Sequence, residues 1–200
     1  MNALEAFNNA LFLMINGTPA LPAWQIDAGL LIAVYFIHLL WVLLIAIWLK
    51  GDAHQRSVVL HACLVVLLGS IAKDLLSLFW QHPRPFVIGL GYTFLAHAPN
   101  SSFPSAHATT CFGIALTLLF GHLRWPGALA LLISCAVAWS RVFIGVHYPL
   151  DMLGALITAS LVYALSAPLW RRVGPQLTDC VIGFYRKLFA WPIRRGWLRR

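Results

Sequence analysis

The chain has 200 residues, of which 60% are hydrophobic and 10% are charged, and its formal net charge is +8. Soluble proteins contain about 45–50% apolar and about 25% charged residues, so this composition excludes a water-soluble globule. Eight of the 14 basic residues follow Trp170. Such a basic tail after a membrane span indicates an anchor facing anionic lipid rather than a nucleic-acid-binding face.

The N-terminal segment, Met1 to Trp24, contains a short apolar stretch around Ala10–Ile15 that asparagines and a glycine interrupt. The stretch is too short to cross a bilayer core, which takes about 20 apolar residues. A signal peptide has a basic residue before its apolar stretch, whereas no Lys or Arg precedes this one. We therefore predict an interfacial helix in this segment.

Five longer apolar stretches follow, each sufficient for a membrane-crossing helix at about 1.5 Å per residue. They are about Ile26–Leu49, Ser57–Trp80, Ser105–Leu123, Pro126–Gly145 and Pro149–Trp170. The sequence predicts an all-α integral membrane protein with about five transmembrane helices in one bundle. Residues 1–170 would form the membrane domain and residues 171–200 a basic cytoplasmic tail, in which Val181–Ile193 is a candidate amphipathic surface helix.

The basic residues near the ends of the spans indicate the orientation. Those that fall on one face are Lys50, Arg56, Arg124 and the residues of the tail. Because cytoplasmic loops carry an excess of Lys and Arg, we predict that this face is cytoplasmic. The loop Gln81–Pro104 and the turn at His147 then lie outside the cytoplasm. Arg84 and Arg141 would lie on the outer side, against this bias, which indicates that they have a function other than setting the orientation.

Polar residues from three distant stretches meet on the predicted outer face. They are Arg84, Ser105, His107, Arg141, His147 and Asp151. The planar fork of an arginine suits phosphate oxygens, so Arg84 and Arg141 are candidate ligands of a phosphoryl group. Ser105 follows Pro104 and opens a predicted span, so its hydroxyl and the next backbone N–H groups form an anion seat at a helix start.

His147 and Asp151 lie four residues apart at the start of the last predicted span, with Pro149 acceptable in its first turn. The carboxylate can therefore hold one imidazole nitrogen and leave the other free to attack, with His147 as the nucleophile. His107, from another helix, is then a candidate proton donor to the leaving oxygen.

Three motifs of this sequence resemble the signatures of the type 2 phosphatidic acid phosphatase superfamily. In chain order they are Arg84-Pro85, Pro104-Ser105-Ala106-His107 and Ser140-Arg141-x5-His147-x3-Asp151. The last motif fixes four residue types over twelve positions and is the most specific of the three. The matched region is about Lys73–Leu153, and the size and layout look most like the bacterial undecaprenyl-diphosphate phosphatases of this superfamily.

The resemblance implies a reaction through a phosphohistidine that uses no metal and no other cofactor. It implies that His147 is the nucleophile, that Asp151 orients it and that His107 is the general acid. The phosphate ligands that it implies are Arg84, Ser105 and Arg141. The first signature usually begins with a lysine seven residues before the arginine, where this sequence has Ser77. Lys73 lies one helical turn deeper on the same face and is a candidate replacement as a phosphate ligand.

We therefore expect an integral membrane phosphatase of the cytoplasmic membrane that hydrolyses undecaprenyl diphosphate, or another polyprenyl diphosphate, to the monophosphate. This reaction would recycle the cell-wall lipid carrier. The expected partners are this lipid substrate and the surrounding membrane lipids, with no nucleic acid. The motifs leave open a phosphatase for phosphatidic acid or phosphatidylglycerol phosphate, a lipid phosphoryl transferase and a non-catalytic lipid binder.

A metal site is the chemical alternative for the same residues. It would be built from His107, His147 and Asp151, but the paired arginines nearby would repel a cation. The four cysteines are scattered without metal-ligand spacing and add no metal signal. His82 and His97 lie in the outer loop without a spacing that assigns them a role.

Overall fold

The computed structural model describes residues 3–199, which form helices joined by loops; Met1, Asn2 and Arg200 lie outside the described residues. The α-helices are α1 (Ala3–Ile15), α2 (Ala23–Lys50), α3 (Ala53–Phe79), α4 (Ala106–Phe120), α5 (Arg124–Phe143), α6 (Pro149–Leu188) and α7 (Ala190–Arg194), and a short 3₁₀-helix covers Pro85–Ile88. The predicted all-α class is confirmed.

Four of these helices, α2, α3, α5 and α6, are long and apolar enough to cross a membrane. Large apolar side chains lie exposed along them, among them Leu39, Val42, Leu67 and Leu161. So extensive an exposed apolar surface is not typical of a soluble monomer, whereas lipid tails would cover it. The predicted membrane bundle is therefore confirmed.

Helix α4 takes the place of the predicted span Ser105–Leu123 and packs between α3, α5 and α6. It has 15 residues and is shorter than the four span helices. Its buried side chains include Cys111 and Ile114. Because other helices surround it, α4 does not have to match the thickness of the lipid. Its start meets the start of α6, where the Ser105 N–H donates to the Asp151 carbonyl at 3.4 Å.

The predicted last span ends at about Trp170, but helix α6 continues to Leu188. The whole helix has 40 residues and contains Pro168 and Pro175. Buried residues of its second half are Trp170, Gly174, Thr178, Ile182 and Tyr185. Their spacing of three or four positions is that of one packed helix face, which continues the helix beyond the apolar stretch. Most of the segment 181–193, a candidate amphipathic surface helix from its sequence, therefore belongs to the end of α6.

Helix α1 lies where the interfacial helix was predicted, and it packs against the start of α6. Phe12 is fully buried, and its ring centroid lies 5.6 Å from that of Tyr148. The Asn8 side-chain oxygen accepts a hydrogen bond from the Leu150 N–H at 3.1 Å. This helix therefore supports the first turn of α6.

At the other end of the bundle, the C-terminal segment folds back onto the turn between α2 and α3. Arg56, only 1% exposed, donates to the Trp48 carbonyl at 2.9 Å and to the Arg199 carbonyl at 2.8 Å. Its guanidinium lies 4.8 Å from the centroid of the Tyr185 ring. These contacts partner a buried charge and tie the end of the chain to the bundle.

Candidate active site

A polar cluster lies at the end of the bundle where α3 and α5 end and where α4 and α6 begin. Its buried members are Arg84, Ser102, Ser105, Arg141, His147 and Asp151. They belong to the loop between α3 and α4, to the last turn of α5, to the turn before α6 and to the first turn of α6. Buried ionisable groups in a membrane protein need partners and mark functional sites. The fold thus brings the three sequence motifs to one place.

His147 lies in the tight turn between α5 and α6. Gly145 in this turn has a φ of 83°, in the left-handed region that favours glycine. A Cβ atom at this position would overlap the Tyr92 carbonyl oxygen. Tyr148 then caps α6 and Pro149 begins it. This turn sets the direction in which the His147 imidazole points.

The Asp151 carboxylate orients that imidazole. Its Oδ2 accepts hydrogen bonds from His147 Nδ1–H at 3.1 Å, from the Tyr148 backbone N–H at 2.8 Å and from the Ser102 hydroxyl at 2.5 Å. Because Nδ1 carries the proton, Nε2 keeps its lone pair. The arrangement leaves a potential nucleophile on the side of the ring away from the carboxylate.

The Arg84 guanidinium faces this free nitrogen. Its Nη1 donates to the Val146 carbonyl at 2.8 Å and lies 3.0 Å from His147 Nε2. Its Nε and Nη2 donate to the Asn100 side-chain oxygen at 3.0 Å and 2.8 Å. The loop between α3 and α4 therefore holds Arg84 so that an N–H group points to where a phosphoryl group must come for attack by His147.

Arg141 is the second buried arginine, 2% exposed in the last turn of α5. Among the residues that the structure describes, its Nε and Nη2 atoms have no hydrogen-bond partner. Buried donors without partners are rare in native proteins. The charge of Arg141 also interacts with that of Arg84. Two neighbouring guanidinium groups, one with unused donors, form a place for an anion.

Ser105 is the N-cap of α4, as predicted, and its hydroxyl accepts a hydrogen bond from the Ala108 N–H at 3.5 Å. His107 follows in the first turn and is half-buried. The charges of Arg141 and Arg84 act on its imidazole, so His107 lies within electrostatic range of both arginines. Its function as a proton donor stays a prediction.

Burial determines the protonation state of His147. Loss of hydration lowers the pKa of His147 to about 4, although the hydrogen bond and the charge of Asp151 act in the opposite direction. The charges of Arg84 and Arg141 lower this pKa further. The imidazole is therefore neutral at pH 7, as a nucleophile requires. Burial also lowers the pKa of Arg84 to about 10, which leaves its guanidinium charged at pH 7.

Lys73 lies within α3, and its ammonium pairs with the neighbouring Asp74 carboxylate at 2.5 Å. Among the described residues, the ion pair of Lys73 is with Asp74 rather than with a member of the polar cluster. Ser77, at the position of the family lysine, donates to the Lys73 carbonyl at 2.9 Å. A function of Lys73 as a phosphate ligand stays a prediction.

Ser102 and Asn100 also contribute to the cluster, although neither residue belongs to one of the three sequence motifs. Ser102 is fully buried and donates to Asp151, while Asn100 accepts from Arg84. In the sequence both residues belong to an irregular polar loop. Their one signal was a run of hydrogen-bonding side chains immediately before the second motif.

The profile of the PAP2 superfamily matches residues 58–174. YbjG of Escherichia coli, provisionally named an undecaprenyl-diphosphatase, is 40% identical over 98% of this chain and 99% of its own. The undecaprenyl-diphosphatase BcrC of Bacillus subtilis is 35% identical over 66% of this chain and 67% of its own. The crystal structure of LpxE from Aquifex aeolicus matches with a TM-score of 0.62 and 25% identity over 81% of this chain and 95% of that chain. This chain, as its three motifs indicated, belongs to the PAP2 superfamily.

Proposed function

We propose that this protein hydrolyses undecaprenyl diphosphate to undecaprenyl monophosphate and phosphate, without a metal and through a phosphohistidine on His147. The names of the two relatives support the substrate, and the family supports a lipid phosphatase. The reaction type rests on one observation: Asp151 holds Nδ1 of the His147 imidazole while Nε2 faces Arg84. Paired guanidinium groups beside that nitrogen favour an anion over a metal cation.

In the first step, Nε2 of His147 forms a bond to the terminal phosphorus while the bond from that phosphorus to the bridging oxygen breaks. The electron pair of the broken bond stays on the bridging oxygen, which leaves with the lipid monophosphate and takes a proton from His107. The negative charge of the bound diphosphate stabilises the protonated form of His107 that this step requires. Arg84 and Arg141 bind the equatorial oxygens as charge spreads over them, and the capped start of α4 at Ser105 adds a further donor.

In the second step, a water molecule attacks the phosphorus of the phosphohistidine. The water proton goes to His107, which the first step left neutral, and the bond from phosphorus to Nε2 breaks. The electron pair of that bond returns to His147, and inorganic phosphate leaves. Asp151 stabilises the positive charge that the imidazole carries while it is phosphorylated. Both histidines then have their starting protonation states.

We also propose that the site faces the outside of the cytoplasmic membrane and that the C-terminal tail faces the cytoplasm. Lys50, Arg56 and Arg124 lie at the helix ends opposite to the one that carries His147. The positive-inside bias supports this orientation. A lipid carrier released as the diphosphate on the outer face would then be returned to its monophosphate form for cell-wall synthesis.

Phosphate release by the purified protein in detergent, with EDTA present, tests the proposal on a panel of lipid phosphates. We expect release from undecaprenyl diphosphate and a loss of at least about 10⁴-fold in His147→Ala. A His147→Ala variant that still turns over would remove the phosphohistidine. Release that needs added metal would favour the metal site instead, and a preference for phosphatidic acid would change the proposed substrate.

A further inference from the structure

The loop segment His97–Ser102 forms one wall of the proposed active site. Asn100 accepts hydrogen bonds from Arg84, and Ser102 donates to the carboxylate that orients the nucleophile. These contacts fix the end of the segment. His97 lies at its start, is half-buried and has no part in the proposed mechanism.

The His97 imidazole lies close to that of His147, with ring centroids 6.3 Å apart and ring planes at 74°. Its Nδ1–H donates to the Ala98 carbonyl at 3.0 Å. This hydrogen bond commits one ring nitrogen and leaves Nε2 for a ligand. An anion in front of the His147 ring therefore lies within reach of His97.

Four basic side chains interact electrostatically near the His147 ring. The charges of Arg84 and Arg141 act on the His97 imidazole, and His97 in turn acts on the imidazole of His107. In the proposed mechanism, the two arginines and His107 bind the transferred phosphoryl group and its leaving oxygen. A diphosphate carries a second phosphate, which needs a donor of its own.

We propose that His97 is a specificity-determining residue that binds the second phosphate of a lipid diphosphate, the phosphate that stays on the lipid. This inference rests on the proposed function. With the diphosphate bound, the His97 imidazolium donates through Nδ1 to Ala98 and through Nε2 to an oxygen of this phosphate. The hydrogen bond strengthens as the bridging oxygen gains charge during the first step. A phosphate monoester, which leaves as an alcohol, has no such oxygen.

Farnesyl diphosphate and farnesyl monophosphate test this proposal because they share one tail and differ only by the second phosphate. We expect His97→Ala to lower kcat/KM for the diphosphate by roughly 10- to 100-fold, as for a lost hydrogen bond to a charged group. The kcat/KM for the monophosphate should be nearly unchanged. His97→Gln keeps an N–H donor of similar reach and should recover part of the loss.

Two further variants complete the design. His107→Ala should show the opposite preference and harm the monophosphate more, because an alcohol needs a proton to leave more than a phosphate does. His122→Asn controls for the loss of a histidine elsewhere. His122 is exposed at the other end of the bundle, and its φ of 61° is a conformation that asparagine tolerates.

Equal losses on the two farnesyl substrates in both His97 variants, or no loss on the diphosphate, would overturn the assignment of His97. Failure of the unmodified protein to hydrolyse either substrate would overturn the proposed function instead. The ratio of the two kcat/KM values does not depend on the amount of folded protein, so a partly unfolded variant still gives an answer.

Discussion

Two opposing influences act on the His147 side chain. Burial favours its neutral form, whereas the hydrogen bond from Nδ1 to Asp151 favours the charged form. Burial dominates, so the attacking nitrogen holds a lone pair before any substrate arrives. That lone pair already faces an N–H group of Arg84. Substrate binding must therefore turn this donor from the imidazole to a phosphate oxygen.

We predict that the pKa of His147 in the unliganded protein lies well below 6.5, near 4. A histidine NMR titration in detergent measures it, with His147→Ala to identify the resonance. Arg84→Gln should raise this pKa because it removes a positive neighbour. Asp151→Asn should lower it because it replaces a negatively charged hydrogen-bond acceptor by a neutral one.

The exposed His122 is the internal reference for this titration, since neither substitution lies near it. A His147 resonance that titrates at or above 6.5 would mean that the imidazole is charged near neutral pH, contrary to a nucleophile held ready. Shifts of the same sign in Arg84→Gln and Asp151→Asn would show that the two side chains do not act through their charges.

Some residues of the site could be predicted from the sequence, and others could not. His147 and Asp151 are separated by one helical turn, and Ser105 begins a helix, so short-range spacing places them. Ser102 and Asn100 belong to an irregular loop in which no period tells which side chain points inward. Their contacts depend on the path of the whole loop, which only the folded chain determines.

The loop between α3 and α4 holds the turn between α5 and α6. The Phe94 N–H donates to the Ile144 carbonyl at 3.0 Å, and the Thr93 hydroxyl donates to the Gly145 carbonyl at 3.2 Å. The Asn16 side chain joins both parts, because its amide nitrogen donates to the carbonyls of Tyr92 and Phe143. Three chain segments thus fix the turn that carries the nucleophile.

We predict that Gly145→Ala disrupts this turn. A side chain at a φ of 83° costs about 1–2 kcal/mol, and the added Cβ would overlap the Tyr92 carbonyl oxygen. The turn must shift, and a displacement of about 1 Å at a reacting group can cost roughly 100-fold in rate. We expect a loss of kcat of that order and a lower unfolding temperature in detergent.

Gly183→Ala is the matched control, because Gly183 lies inside α6 with no atom within 4 Å of an added Cβ. This change should keep activity and stabilise the helix by about 0.5–1 kcal/mol. Activity in Gly145→Ala equal to that of the Gly183 variant would mean that the turn geometry does not matter for catalysis.

Hydropathy could predict the positions of the span helices because apolar length is what the bilayer selects. It could not predict where α6 ends, since its second half continues through packing of residues such as Tyr185 against Arg56 rather than through apolar length. It also could not show that α1 supports the first turn of α6 through Asn8. Such contacts between distant segments leave no local pattern.

At the scale of the whole molecule, positive charge is divided between two kinds of environment. At the site end, Arg84 and Arg141 are buried in the polar cluster, and their charges interact. At the opposite end, the basic residues of α6, α7 and the following segment are mostly exposed, including Arg171, Arg186, Arg194 and Arg195. The exposed set suits an anionic lipid surface, whereas the buried set suits one bound anion.

The orientation that this division favours predicts the labelling of single cysteines in spheroplasts. A cysteine at the exposed Ala96 should react with a membrane-impermeant maleimide, and a cysteine at the exposed Arg194 should react only after the membrane is permeabilised. The exposed native thiols, Cys63, Cys135 and Cys180, are first changed to serine. The reverse pattern would place the site in the cytoplasm. Arg84 and Arg141 would then no longer oppose the positive-inside bias, so the charge distribution would give no reason to assign them a function. The structural reason would stay, because Arg141 has buried donors without partners among the described residues.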